Sequence, residues 1–279
     1  MIGILLAAVS GLVWGVGDFS GGKASQRSDA LLVVVLSKAA SLPLLLLYLV
    51  LMPAAVRPEV LAWGGAAGIL GVLGMFVFYR ALAGGAMAVV APVSAVTSAL
   101  LPLVVGLVSG ERPGAVALAG AGCAIVAIGL VSLAPGGSGG PVTRRLVVLA
   151  LVSGTAFGLF FTCLSQAGEG SGLWPIVGAQ LAALAVGAFP ALRRIRAGAP
   201  WPGGAPLRWL VLAGALDMSA NALYLLAVQR GDLSIIAPVA SLYPVTTVLL
   251  AMLIDRERMR PVQLAGLGLA ATALVLVAS

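Results

Sequence analysis

The chain has no histidine and only two cysteines, Cys123 and Cys163, and charged residues fill just 9% of its 279 positions. Without histidine there is no imidazole base, no His-dependent triad and no histidine metal site. Both cysteines stand in apolar stretches among small residues, where a thiol behaves as a small hydrophobe, so no disulfide framework is expected. The low charge, against roughly 25% in a soluble domain, makes water an unsuitable main solvent. Acidic residues are scarcer than basic ones, 9 against 16, for a formal charge of +7. The basic residues lie singly or in small groups between apolar runs, with no interleaved aromatics, which argues against nucleic acid and for a part in fixing orientation. The start, Met1-Ile-Gly-Ile-Leu-Leu6, lacks the basic n-region of a cleaved signal, so residue 2 onward reads as a first membrane helix.

What the chain has in abundance is hydrophobic residues, 61% of the total, in runs long enough to cross a bilayer. In hydrocarbon a single segment satisfies its own backbone polar groups only as a helix, and about 20 residues span roughly 30 Å. Helices are expected near 2–22, 30–52, 60–83, 87–109, 114–133, 146–167, 173–192, 207–229, 233–254 and 261–278. The expected fold is all-α, a polytopic membrane protein of ten transmembrane helices. Pro135-Gly-Gly-Ser-Gly-Gly-Pro141 has the composition of a flexible linker. Residues 1–134 form a first five-helix repeat, 135–143 the linker and 144–279 a second repeat of one transport domain.

The repeat shows in the sequence itself. Laying 63–131 on 209–277 without a gap places Trp63 on Trp209 and Ala91-Pro92-Val93 on Ala237-Pro238-Val239. The same register places Glu111-Arg112 on Glu257-Arg258, and Gly120 and Gly122 on Gly266 and Gly268. The first helices share Ser10-Gly11-x-x-x-Gly15 and Ser153-Gly154-x-x-x-Gly158, spacings that let helices approach closely and point to packing within the chain. An odd number of spans per repeat inverts the second copy, and inverted halves supply a route to alternating access.

With Val13-Trp14-Gly15 in the first helix and Ala-Pro-Val followed by Glu-Arg in each half, the chain resembles, over essentially its whole length, the EamA-type ten-helix transporters of the drug/metabolite transporter superfamily. That resemblance implies movement of small metabolites or drugs, often outward, through a central cavity between the halves. The expected function is a secondary transporter of a small organic molecule in the inner (cytoplasmic) membrane, exporting by alternating access, with protons as the candidate coupling ion. A passive facilitator or channel is the alternative, and a non-transporting membrane scaffold a third reading. The expected partners are the solute, the bilayer and protons, with no nucleic acid and no cofactor, and a monomer is favoured over an obligate oligomer. Enzymatic chemistry is not expected. Gly136-Gly-Ser138-Gly-Gly140 matches a nucleophile-elbow pattern only formally, inside the linker.

Ionisable groups in hydrocarbon cost a few kcal/mol each, so they face a cavity or a partner. Three qualify: Asp18, Lys38 and Asp217. Asp217 stands near mid-membrane with Asn221 and Tyr224 at i+4 and i+7 on the same face, a candidate site for substrate or a proton. A structural carboxylate is the alternative. Lys38 is too deep to reach water easily and is expected beside Asp18 or Asp217, either as a working pair or as a permanent tie. Asp18 shares a face with Trp14 and is expected at the mouth, before Gly21-Gly22-Lys23. Trp14 could stack a flat substrate or anchor packing. Thr97 and Ser98, with Ser94, share one face of the fourth helix, and Tyr243 and Thr247 one face of the ninth, so these hydroxyls are placed on the cavity. Gln180 is a further cavity candidate. Pro92, Pro102, Pro238 and Pro244 are candidate hinges. Phe157, Phe160 and Phe161 are read as packing or lipid contact, and Arg80 as a snorkelling side chain.

Orientation is read two ways. Loops one, three, five, seven and nine carry Lys23, Arg27, Arg80, Arg144, Arg145, Arg193, Arg194, Arg196, Arg208, Arg256, Arg258 and Arg260, against Arg57, Arg112 and Arg230 in the others. Basic loops stay cytoplasmic, which puts both termini outside. The resemblance implies both inside.

Overall fold

The computed structural model describes residues 2–84, 87–108, 114–116, 119–120, 122–123, 126–127, 130, 143–166, 170–228, 230, 240, 243–256 and 260–277. Among these there is no strand. The first half contributes α1 (Ile2–Ser25), α2 (Ala30–Ala40), α3 (Leu42–Leu51), α4 (Pro58–Leu82) and α5 (Met87–Val108). The second contributes α6 (Arg144–Ser165), α7 (Trp174–Arg196), α8 (Ala205–Val228), α9 (Tyr243–Ile254) and α10 (Pro261–Val277). Since α2 and α3 together make one span, these are nine rods among the described residues. Half of the expected helix at 114–133 lies outside them, as do residues 135–142 of the linker and most of 233–242, so the count of ten is not established.

Among the described residues six spans are long and apolar enough to cross a membrane, including the 24 residues of α1 and the 25 of α4. At 1.5 Å per residue these reach roughly 36 Å, more than the hydrocarbon core. Their outer faces are as apolar as their inner ones: Val50 is 79% and Phe189 67% exposed. Such a surface fits lipid and would be unstable in water.

Local chemistry sets the ends. Asp29 caps α2, its carboxylate accepting from the Leu31 and Leu32 N–H groups at 2.9 and 3.3 Å. Thr143 caps α6 through Leu146 N–H at 3.3 Å. Prolines occupy the first turns of α3, α4 and α7, where no backbone donor is needed. Arg193, Arg194 and Arg196 close α7, complementing the negative end of its dipole.

Two expectations are corrected here. The helix expected over 30–52 is broken at Ser41, because Pro43 has no N–H to give the Ala39 carbonyl and α2 closes instead with Ser41 N–H on Ala39 and Ser37. The first helix does not stop at 22 but continues to Ser25. Gly21 is not a terminator there; it leaves room for the Tyr79 ring, which occupies the space of a Cβ.

Between helices in lipid there is little hydrophobic drive, so close packing of small residues does the joining. The interfaces come in couples that exchange the halves. The register of the repeat matches α1 with α6, the α2–α3 span with α7, α4 with α8 and α5 with α9. α1 packs on α8 as α6 packs on α4; α4 on α7 as α8 on α2; α5 on α6 as α9 on α1. The glycines repeat the relation. Gly11 lies against Ala240 and Gly154 against its counterpart Ser94, while Gly15 meets Tyr243 and Thr246 as Gly158 meets Ser98 and Leu101. Gly68 faces the Ala179 carbonyl as Gly214 faces that of Ser37. Ser37 therefore corresponds to Ala179, and the neighbouring Lys38 to Gln180.

Candidate functional site

Where the two halves meet, a cavity of about 80 Å³ opens between α1, α2, α4, α6, α7, α8 and α9. At about 10–15 Å³ per water it holds several waters or one small solute. Its charged wall is formed by Asp18 of α1, Lys38 of α2 and Asp217 with Asn221 of α8. Phe157, Phe160 and Phe161 of α6, with Gly71, Val72 and Met75 of α4, form the facing wall, and α7 contributes Ile176, Ala179, Gln180 and Ala183.

Lys38 is paired as its depth requires. Its Nζ donates to Asp217 Oδ2 at 2.6 Å, so the carboxylate partner is Asp217 and not Asp18. The other oxygen, Oδ1, accepts from Asn221 Nδ2 at 3.2 Å, and the same amide donates to the Asp217 carbonyl at 2.7 Å. The α8 stripe thus locks its own carboxylate in orientation. Below the ammonium, Gln180 Nε2 donates to the Lys38 carbonyl and, at 2.7 Å, to Ser41 Oγ, while that hydroxyl donates to the Lys38 carbonyl at 2.8 Å. The break between α2 and α3 is therefore tied to α7 directly beneath the ion pair. Discontinuous helices beside a binding site recur in secondary transporters because freed backbone groups are tolerated where they line a cavity.

Asp18 is not at a mouth but inside the cavity wall. The cause is the continuation of α1 past the glycines to Ser25. Trp14, one turn earlier, lines the same space and packs against Tyr224 at 5.6 Å, Phe161 at 6.0 Å and Tyr243 at 6.4 Å between ring centroids. Tyr224 touches this cluster from behind without lining the cavity.

The hydroxyls expected on the cavity are mostly elsewhere. Thr97 donates to the Val93 carbonyl of its own helix at 2.7 Å and Ser98 to Ala95 at 2.8 Å. Ser94 meets Ser153 of α6 at 3.0 Å, and Thr247 donates to the Gly15 carbonyl at 3.1 Å. Thr97 and Ser98 are satisfied within α5, Ser94 and Thr247 bind helix to helix, and of that set Tyr243 alone lines the cavity. Of the hinge candidates, α5 runs unbroken through Pro92 and Pro102, Pro244 stands in the first turn of α9, and Pro238 lies outside the described residues. So do Glu111-Arg112 and Glu257-Arg258.

Three residues assigned to packing or lipid, Phe157, Phe160 and Phe161, are cavity wall. The repeat contained the signal for two of them. In the register that matches Gly11 with Gly154, Phe157 falls on Trp14 and Phe161 on Asp18. Asp217 falls on Gly71. The pseudo-symmetric cavity is thus chemically lopsided, charged along α1, α2 and α8 and aromatic along α6.

Two further ion pairs stand at one end of the molecule. Lys23 at the end of α1 reaches Asp255 beyond α9 at 2.6 Å, and Arg194 reaches Asp29 at 3.4 Å. These contacts gather the first, seventh and ninth loops on one face. On the other, Trp174 Nε1 donates to the Ala54 carbonyl at 2.9 Å and the start of α1 meets Arg230 at Gly3.

No curated protein matches this chain. Among solved structures, a crystal structure of a protein aligns with a TM-score of 0.65 over 98% of this chain and 94% of that one at 18% identity, so the two share a fold. The profile of the EamA-like transporter family matches residues 1–133 and again 144–279, one match for each half. With a cavity between two repeated membrane halves, and that family matched across nearly the whole length, the chain belongs to the EamA-like transporter family and is a membrane transporter of the drug/metabolite transporter superfamily.

Proposed function

We propose that the protein is a secondary transporter that exports a small organic solute across the cytoplasmic membrane, in exchange for protons, by alternating access around the cavity at Lys38 and Asp217. The observation that carries this is the ion pair itself, which joins α2 of the first half to α8 of the second inside the membrane. A purely structural tie is an expensive choice there, since well-packed apolar residues stabilise as well or better. A proton delivered to Asp217 removes the charge that holds Lys38. The unpaired ammonium must then find water or solute, and the halves it joined are free to part.

The coupled interfaces support a rocking motion. α1 on α8 and α6 on α4 are counterparts, as are α5 on α6 and α9 on α1. If the second repeat is inverted, exchanging the conformations of the halves converts access from one side into access from the other. Export, as against uptake, follows the habit of the superfamily.

The test is solute flux through purified protein in proteoliposomes. Flux driven by an imposed pH gradient supports the coupled reading. Flux indifferent to the gradient points to a facilitator, and no flux of any solute to a scaffold.

A further inference from the structure

The charges that face the cavity among the described residues are Asp18, Lys38 and Asp217, two carboxylates and one ammonium. Lys38 and Asp217 neutralise each other, and Asn221 takes the remaining oxygen of Asp217. Asp18 has no cation and no hydrogen-bond donor among the described residues. One carboxyl group is left without a partner, on a side chain that lines the space a solute would fill. Directly beside it, one helical turn away, is Trp14, in ring contact with Tyr243 and with Phe161 of the facing wall, which Phe157 and Phe160 complete.

The arrangement discriminates among ligands. A metal ion is poorly served, because no group of three or more His, Cys, Asp or Glu among the described residues is set to hold one. An anion would meet two carboxylates and an ammonium already engaged. A zwitterion would have to pull Lys38 from Asp217 or leave its own carboxylate beside Asp18. A monovalent cation meets none of these obstacles. Aromatic faces attract cations as well as apolar bodies, and the lopsided cavity offers the carboxylate on one wall and rings on the other.

We propose that the cavity binds monovalent organic cations, amines with an aromatic or apolar body, the charged nitrogen at Asp18 and the body between Trp14 and the α6 phenylalanines. This deepens the transport reading and rests on it for taking the cavity as a solute site. Asp18 is then the specificity-determining residue, and Lys38–Asp217 the pair that holds the halves around the occupied site.

The test is calorimetric titration of the purified full chain in detergent, with no gradient, using three probes that share a phenyl body: phenethylamine, phenylalanine and 3-phenylpropionate. Phenethylamine is expected to bind, the zwitterion and the anion at least about 10-fold more weakly, since each adds a carboxylate beside Asp18. Asp18→Asn, close to isosteric, is expected to weaken the amine by about 10-fold or more while leaving the thermal midpoint near wild type. Equal or tighter binding of phenylalanine or phenylpropionate to the wild type overturns the proposal, whatever the variant does. So does an absence of phenethylamine binding, or an Asp18→Asn protein with unchanged amine affinity. A chain that binds the amine yet moves nothing across proteoliposomes keeps this assignment and loses the transport reading. One that carries phenylalanine but ignores the amine does the reverse.

Discussion

Gly214 of α8 lies against the backbone carbonyl of Ser37 in α2, so close that a Cβ has no room between them. The contact is one residue before Lys38 and three before Asp217, and it is this backbone approach that lets an ammonium and a carboxylate from different halves meet at 2.6 Å. Small residues at a crossing thus set the chemistry a turn away.

The first prediction follows from that crossing. Gly214→Val must push α8 from α2, and overpacking of this kind costs about 1–3 kcal/mol. The variant is expected to melt several degrees lower in detergent and to lose transport together with stability. Gly203→Ala, at a glycine with open space around it, is expected to change neither. A Gly214→Val protein with wild-type midpoint and flux would show that the close approach does not position the pair.

The second concerns the pair as a unit. Lys38→Met leaves Asp217 without its cation, and Asp217→Asn leaves an ammonium without its anion. The double variant Lys38→Met/Asp217→Asn leaves neither charge. Thermal unfolding of all four proteins should give an interaction energy of about 1–3 kcal/mol, with the double variant more stable than the sum of the singles allows. Strict additivity would mean that the two side chains do not interact in the folded membrane protein.

Lys23 and Asp255 carry the third. They join the end of α1 to the end of α9 at the face that bears the first, seventh and ninth loops. At the matching place in the other repeat the first-helix position is Gln166, which cannot form such a pair. If that face must open during the cycle, linking Lys23→Cys to Asp255→Cys with a short bifunctional reagent, in a Cys123→Ala/Cys163→Ala background, should arrest flux, and cleaving the linker should restore it. Undiminished flux in the fully linked protein would show that this end does not open.

Much of the scaffold was legible because hydrocarbon punishes exceptions. Apolar runs gave the spans, and the scarcity of charge singled out Lys38 and Asp217, which the fold indeed brings together. What could not be read was rotation and depth. α6 carries no charge beyond Arg144 and Arg145 at its start, so its composition did not say that the phenylalanines face inward, and only the repeat register marks Phe157 and Phe161. Gly21 and Gly22 read as a stop, though Gly21 serves the Tyr79 ring, and Asp18 was placed too near the surface for that reason. Pro43 lies inside the run 30–52 expected as one helix, yet α2 ends just before it at Ser41, which Gln180 ties to α7. The hydroxyls of Ser94 and Thr247 are satisfied by neighbouring helices, and that of Ser98 by the Ala95 carbonyl of its own helix, instead of by solute.

Orientation is the fourth prediction. The face that gathers loops one, seven and nine carries Arg27, Arg193, Arg194, Arg196 and Arg256, among others, and short basic loops remain cytoplasmic. The termini should then lie outside. A C-terminal reporter that fluoresces only in the cytoplasm is expected to stay dark in intact, inserted protein, and a bright signal would reverse the assignment.

The most direct test of the central claim is proton-driven solute movement in proteoliposomes by wild type and by Asp217→Asn, each reconstituted at equal amount and checked for folding by its melting profile. The account predicts that an imposed pH gradient drives accumulation by the wild type, and that Asp217→Asn, folded and inserted, loses that accumulation altogether. Full pH-driven accumulation by the variant would contradict it, removing Asp217 and its pairing with Lys38 from the coupling of the two halves.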